Sequence, residues 1–298
     1  MTFMNIPFAM VDVFSSEPLT GNPVAVVSDA EVLPVETMRR IAREFNQSET
    51  TFVLPASSQD ADRRLRSFTP IGAEVFGAGH NTLGAWWLLA AQGRLDLKEG
   101  ATTLRQEVGE QILPLRIEMA AGGPVAISMT QAPPDFQREP GDPGELAASL
   151  GLAERDLVAD LPTQVVDTGA GHLMVPVRDR AAVDRAEPNA PRLRRFLEEA
   201  GGEGCYVFSL DPVNEGSTAY ARFFNPTVGI WEDPATGTAA GPLACLLTTA
   251  GVVPAGATVT IEQGHAMGRP SLIAVHTDGP APQIAGAAVV TATGHLHL

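Results

Sequence analysis

Gly79-His80-Asn81-Thr82-Leu83-Gly84-Ala85-Trp86-Trp87-Leu88-Leu89-Ala90-Ala91 and Gly237-Thr238-Ala239-Ala240-Gly241-Pro242-Leu243-Ala244-Cys245-Leu246-Leu247 are the stretches that decide the fold. Each opens on a glycine and is closed by another, Gly93 or Gly251, fourteen positions later. Between the glycines both runs are apolar on every side. Such a helix is buried, because a surface helix keeps a polar face. The approach repeats as well. Arg66-Ser67-Phe68-Thr69-Pro70 leads through Glu74 to the first run, and Arg222-Phe223-Phe224-Asn225-Pro226 leads through Glu232 to the second. From Pro to Gly the two approaches differ by two residues. Each copy therefore reads as strand, tight loop and buried helix. A helix start offers unpaired N–H groups and the positive end of a dipole, so two of them in one cleft suit an anionic substrate.

A chain of 298 residues suits one large domain or two medium ones, and the internal echo favours two. Hydrophobic content of 44% with 18% charged residues fits a globular protein and leaves no case for disorder. The formal net charge of −15 speaks against nucleic acid or an anionic membrane as partner, since both need a basic surface. Gly and Pro interrupt every apolar run before it reaches membrane-spanning length, so a cytoplasmic protein is expected. Cys205 and Cys245 are too few for a disulfide framework and read as small core residues. No Cys-x-x-Cys or His-x-x-x-His spacing suggests zinc.

Along the chain, alternation and β-branched runs predict strands near 7–15, 23–28, 51–55 and 63–69, two within 102–119, and one near 125–130. Further strands are expected near 164–178, 205–210, 218–224, 258–263, 271–277 and 284–293. Helices are expected at 35–45, with Met38, Ile41, Ala42 and Phe45 on one face, and at 80–92, 143–151, 191–200 and 238–250. Residues 181–190 read as a surface loop. Ala120-Ala121-Gly122-Gly123-Pro124 is the expected linker. Strands far outnumber helices and come in hairpin-like runs, which predicts an α+β fold of two pseudo-symmetric lobes, each a sheet rolled around its apolar helix.

Glu49, just before an apolar strand, is a candidate acid/base, since a carboxylate serves that role when burial tunes it and substrate is in reach. A solvated loop glutamate is the alternative. In Gly77-Ala78-Gly79-His80-Asn81-Thr82 the glycines permit close backbone approach, so Gly79 and Asn81 are candidates for substrate binding. His80 at the helix start would be held neutral by the dipole and relay a proton, or simply cap or pack. Asp233, with Gly237 and Thr238, forms the second turn and reads as functional or as an N-cap. His172 precedes a Val-rich strand and is within plausible reach of the same region. Trp86 and Trp87 read as core. Gln263-Gly264-His265-Ala266-Met267-Gly268-Arg269-Pro270 reads as a hairpin whose Arg269 binds a carboxylate or packs structurally.

Taken together, these segments resemble the phenazine-biosynthesis PhzF-like family, which shares its fold with diaminopimelate epimerase. The resemblance covers nearly the whole chain. It rests on Asp12-Val13-Phe14 with Gly21-Asn22-Pro23-Val24-Ala25-Val26, Ser48-Glu49-Thr50-Thr51-Phe52, and Gly79-His80 with Thr82-Leu83-Gly84. It continues in Glu232-Asp233-Pro234-Ala235-Thr236-Gly237 with Gly241-Pro242-Leu243-Ala244, and in Gln263-Gly264 with Met267-Gly268-Arg269-Pro270. It implies an N-terminal lobe over 1–120 joined by 285–298, a C-terminal lobe over 124–284, a site between them, and a homodimer. It also implies Glu49 as catalytic carboxylate, with His80 and Asp233 lining the site. Thr238 stands where the family more often has Ser, which keeps the hydroxyl and adds a methyl.

Related two-thiol epimerases move a proton between opposed cysteines. Here Ala78 and Ala235-Thr236 occupy those positions, so two-thiol racemisation is not expected. The remaining expectation is a cofactor-independent isomerase of a small carboxylate-bearing metabolite, with Glu49 as the single proton-transfer carboxylate. The alternatives are an epimerase with Glu49 opposed by Asp233 or His80, and a non-catalytic protein that binds a small molecule or protein.

Overall fold

The computed structural model describes residues 4–77, 79–137 and 139–298. The chain divides into two compact units: unit 1 holds residues 1–129 and 286–298, and unit 2 holds 130–285.

Unit 1 begins with β1 (Asn5–Val13), β2 (Asn22–Val27), α1 (Val35–Phe45), β3 (Thr50–Leu54), β4 (Arg63–Phe68) and β5 (Glu74–Val75). There follow α2 (His80–Ala91), β6 (Gly100–Val108), β7 (Gln111–Ala120) and β8 (Gly123–Thr130). Strand β1 pairs antiparallel with β2 on one side and, on the other, with the C-terminal strand of the chain, Ala288–His297. Beyond β2 the pairing runs parallel to β3, antiparallel to β4, parallel from β4 to β6, and antiparallel through β7 to β8. Helix α2 is buried from Asn81 to Ala90, and its neighbours are β1, β2, β3 and β4. A helix with no polar face has nowhere else to go, and the sheet rolls around it. Helix α1 turns Met38, Ile41 and Ala42 inward, joining Phe52 and Phe68 in a cluster against which Phe45 is packed.

Unit 2 comprises β9 (Asp135–Phe136), α3 (Pro143–Ser149), β10 (Gln164–Asp167), β11 (Gly171–Pro176), α4 (Arg180–Arg185) and α5 (Ala190–Ala200). It continues with β12 (Gly204–Ser209), β13 (Ala219–Asn225), β14 (Ile230–Asp233), α6 (Gly237–Thr249), β15 (Thr258–Gln263), β16 (Ser271–His276) and β17 (Gln283–Gly286); β18 (Ala288–His297) is the terminal strand of unit 1. The pairing repeats that of unit 1: β10 antiparallel to β11, β11 parallel to β12, β12 antiparallel to β13, β13 parallel to β15, and β15 antiparallel to β16. Helix α6 packs on β10, β11 and β16, as buried as α2. Both helices are closed by a left-handed glycine, Gly93 (φ 65°) and Gly251 (φ 73°), a conformation open to glycine at little cost.

Three expectations need correction. Residues 120–124 turn the β7–β8 hairpin and link nothing, and the units part at Met129/Thr130. The single strand expected over 164–178 is the β10–β11 hairpin, broken at Gly169 (φ 124°). The surface loop expected over 181–190 begins inside α4, whose N-cap Asp179 accepts a hydrogen bond from the Ala182 N–H and which buries Ala182 and Val183. Its charged residues masked a short apolar edge. Among the described residues no helix is long and apolar enough to cross a membrane.

Candidate functional site

In unit 1 the strand entering β3 and the start of α2 bring Glu49 to His80. His80 Nε2 lies 3.1 Å from Glu49 Oε2, with side chains 12% and 15% exposed. Ser48 Oγ is 3.3 Å from the same nitrogen. Burial, the largest influence, raises the Glu49 pKa, but the imidazolium charge and hydrogen bonds from His80 and Ser48 outweigh it. Glu49 is therefore held below the ordinary carboxylate value as a partly buried carboxylate, not a solvated loop residue.

The turn before α2 is shaped by Asn81. Its Oδ1 accepts from the Gly79 N–H (2.9 Å), and its Nδ2 donates to Ser67 Oγ (3.0 Å) and the Gly77 carbonyl (3.2 Å). Thr51 Oγ1 ties the same group down, 2.9 Å from Ser67 Oγ and donating to the Asn81 carbonyl. The Asn81 side chain thus braces the turn, and the Gly79 N–H donates to it. Ala78, the first of the two expected thiol positions, lies outside the described residues.

In unit 2 the corresponding turn hangs on Gln263 of β15, which is fully buried. Its Oε1 accepts from Tyr206 OH (2.8 Å) and the Thr236 N–H (3.1 Å), while Nε2 donates to the Asp233 carbonyl (2.7 Å) and Thr236 Oγ1 (3.0 Å). Thr236 Oγ1 in turn donates to Asp233 Oδ2 at 2.5 Å. Asp233 is thus not an N-cap. That position belongs to Thr236, whose side chain makes no cap bond. Ser271 Oγ holds the Pro234 carbonyl (3.0 Å), and Gln131 Nε2 holds that of Gly237 (2.9 Å). The stretch from Gln263 to Pro270 attracted attention through Arg269, yet its clearest part in this turn is played by Gln263. In the sequence Gln263 counts only as part of the Gln263-Gly264 match, with no role of its own, because the partners of a buried glutamine leave no local signal.

His172 on β11 is 2% exposed, with Nε2 3.1 Å from Thr238 Oγ1 and its ring edge-on to Phe223 at 4.9 Å. Burial pushes its pKa down to about 4. The unfolded chain, at the ordinary value of 6.5, therefore takes up a proton before the folded one does. This contribution to stability is complete above pH 6.5 and is lost as pH falls to about 4, on the order of 3 kcal/mol in all. Denaturant titrations between pH 7 and pH 4 should show that acid slope, and His172→Phe should flatten it.

Several side-chain interactions recur in both units. Arg66 reaches Glu74 through two bonds of 2.7 Å and lies over Phe68, and Arg222 reaches Glu232 through two bonds of 2.8 Å and lies over Phe224. Buried Glu107 on β6 accepts from the Ser57 and Ser58 N–H groups, and buried Glu262 on β15 from those of Val213 and Asn214. The registers align Thr50 with Cys205 and Arg66 with Arg222, so Gly204 of unit 2 occupies the place of Glu49. A Cβ on Gly204 would sit 2.4 Å from the Phe223 ring and 3.2 Å from His172 Nδ1. Unit 2 thus has no room for a carboxylate there. Both cysteines are buried, and burial raises both thiols, Cys245 to about 11.

Comparisons with known proteins follow the same lines. The sequence profile described as phenazine biosynthesis-like protein (PhzC-PhzF) matches residues 11–294. A trans-2,3-dihydro-3-hydroxyanthranilate isomerase from Pseudomonas aeruginosa is 36% identical over 98% of this chain and 99% of its own. The crystal structure of a Bacillus anthracis phenazine biosynthesis protein of the PhzF family superposes with a TM-score of 0.88 at 32% identity, covering 99% of this chain and 100% of that one. A hydroxyproline epimerase from Agrobacterium vitis shares the fold alone, with a TM-score of 0.66 at 14% identity over 99% of this chain and 92% of that one. The chain belongs to the PhzF family of phenazine biosynthesis-like proteins, and it is a small-molecule isomerase.

Proposed function

We propose that the substrate is a small, conjugated, carboxylate-bearing metabolite and that Glu49 moves one proton along it. Glu49 removes an acidic C–H proton, the electron pair shifts through the conjugated system, and a proton returns to a different carbon from the same carboxyl. Nothing is gained or lost overall; one double bond changes place. The observation that carries this reading is the Glu49–His80 pair, a partly buried carboxylate whose pKa is held below the ordinary value by His80 at a helix start. His80 keeps the base charged between turnovers and, with the α2 dipole, opposes negative charge developing on substrate. In unit 2 Asp233, Gly237 and Thr238 are assigned to substrate binding, Asp233 also assisting proton transfer. Gly204 at the place of Glu49 supports one carboxylate base over two opposed ones.

The relative named trans-2,3-dihydro-3-hydroxyanthranilate isomerase makes that compound the first substrate to test. Proton NMR in deuterated water, with it and a panel of small amino and hydroxy acids, should show product, with deuterium at the newly protonated carbon in the measure that the Glu49 carboxyl exchanges with solvent before returning the proton. Exchange confined to a stereocentre without migration of a double bond would favour an epimerase instead. Binding without exchange across the panel would favour a binding role.

His80 supplies a separate prediction. Removing it deletes two influences that lower the Glu49 pKa and leaves burial, the largest, raising it. Glu49 in His80→Ala should ionise above its ordinary value of 4.5, so the acid limb of kcat/KM moves to higher pH. A limb that stays in place would remove His80 from control of the base.

A further inference from the structure

His172 is the buried titratable group that the proton transfer leaves unused. On β11 it stands one register position before Leu173, which pairs with Cys205; the matching position of unit 1, before Ala25, holds Val24. An apolar side chain thus fills this core place in one unit, whereas unit 2 buries an imidazole there. Burial holds that imidazole neutral, so its two nitrogens differ, one carrying the proton and the other a lone pair. Nε2 faces the Thr238 hydroxyl at 3.1 Å. Nδ1 is shielded from solvent with no hydrogen-bond partner among the described residues, and it packs toward Gly204.

These facts select a tautomer. A proton on Nδ1 would bury an orphaned N–H, the rarer and costlier fault, whereas a bare Nδ1 only turns a lone pair toward a Cα–H. With the proton on Nε2, His172 donates to Thr238 Oγ1, and the threonine's own proton is turned away from the ring. Thr238 is partly exposed, so that O–H is available to a ligand. We infer that His172 is a positioning residue that fixes the Thr238 hydroxyl as a hydrogen-bond donor toward an oxygen acceptor of the substrate, its carboxylate or hydroxyl. The inference rests on the assignment of Thr238 to substrate binding. It also accounts for the unit asymmetry: the residue after the opening glycine is His80 in one unit and a threonine governed by an imidazole from the neighbouring strand in the other.

Two measurements test it. In wild-type protein labelled with 15N-histidine, long-range 1H–15N correlations at pH 7 should show His172 neutral with its proton on Nε2. A proton on Nδ1 overturns the inference, whatever the activity. In steady-state kinetics with trans-2,3-dihydro-3-hydroxyanthranilate, His172→Phe keeps a ring against Phe223 but loses the donor. It should raise KM about tenfold while kcat stays within about threefold. His172→Gln, which carries an N–H at similar reach, should recover most of the loss. In a Thr238→Val background His172→Phe should add nothing; an undiminished effect there overturns the inference. Failure of the isomerase reading looks different: Glu49→Gln would keep full turnover, or no probe would react, while the tautomer still decides the role of His172.

Discussion

Glu49→Gln should reduce kcat by about 10³-fold and leave KM within a few-fold of wild type. The amide fills the same volume and can still bond to His80, so the turn and the start of α2 should keep their geometry. What it cannot do is take up a proton. The expected loss is the contribution of a positioned general base, and neighbouring Ser48 is too weak a base to replace it. Deuterium incorporation from solvent should fall in parallel with turnover, because both need the same proton transfer. The far-ultraviolet circular dichroism should not change. Full turnover in this variant would end the single-carboxylate mechanism outright, and loss of binding with intact exchange would move Glu49 from chemistry to recognition.

The architecture was legible because the decisive signal is redundant. Two runs apolar on every side, each bounded by glycines fourteen residues apart, leave little choice but burial, and the strands had to surround them. The matched Arg66–Glu74 and Arg222–Glu232 bridges show how deep the repeat goes, since even its ion pairs recur. Glu49 and His80 were also legible, and the structure brings them to 3.1 Å. Three features were not. The bracing bonds of Asn81 could not be read, because an amide beside a glycine turn suits several roles and only the distances show it bonded to backbone and Ser67. α4 hid in a charged segment because six residues give too short a period to read. Gln263 and His172 act across long sequence separations, on Thr236 and Thr238, and no local pattern encodes a partner that distant.

The same reasoning gives Gln263→Leu the largest expected effect on stability. The side chain is fully buried and makes four hydrogen bonds, to Tyr206 OH, Thr236 N, Asp233 O and Thr236 Oγ1. Leucine nearly conserves the volume, so packing changes little, but Tyr206 OH, the Thr236 N–H and the Asp233 carbonyl each lose this partner in the buried interior, while Thr236 Oγ1 keeps its bond to Asp233 Oδ2. At about 1–3 kcal/mol for each stranded group, the loss is upward of about 3 kcal/mol, a large share of the roughly 5–15 kcal/mol that holds a typical domain folded. Tyr206 loses the acceptor for its buried O–H, and burial with the nearby Asp233 charge keeps that phenol un-ionised. Denaturant titration should show an earlier midpoint. Hydrogen exchange should place the loss in unit 2, at the turn from Asp233 to Gly237 and in β12, with α2 and β3 unaffected. Gln263→Glu keeps the acceptor but replaces both donated bonds with a charge facing the Asp233 carbonyl, so it should not rescue near neutral pH. Its deficit should shrink as the pH falls and the new carboxyl regains a proton to donate. A leucine variant as stable as wild type would mean that the turn is held by Ser271 and Gln131 alone, and that the Gln263 bonds are incidental to the placement of Asp233.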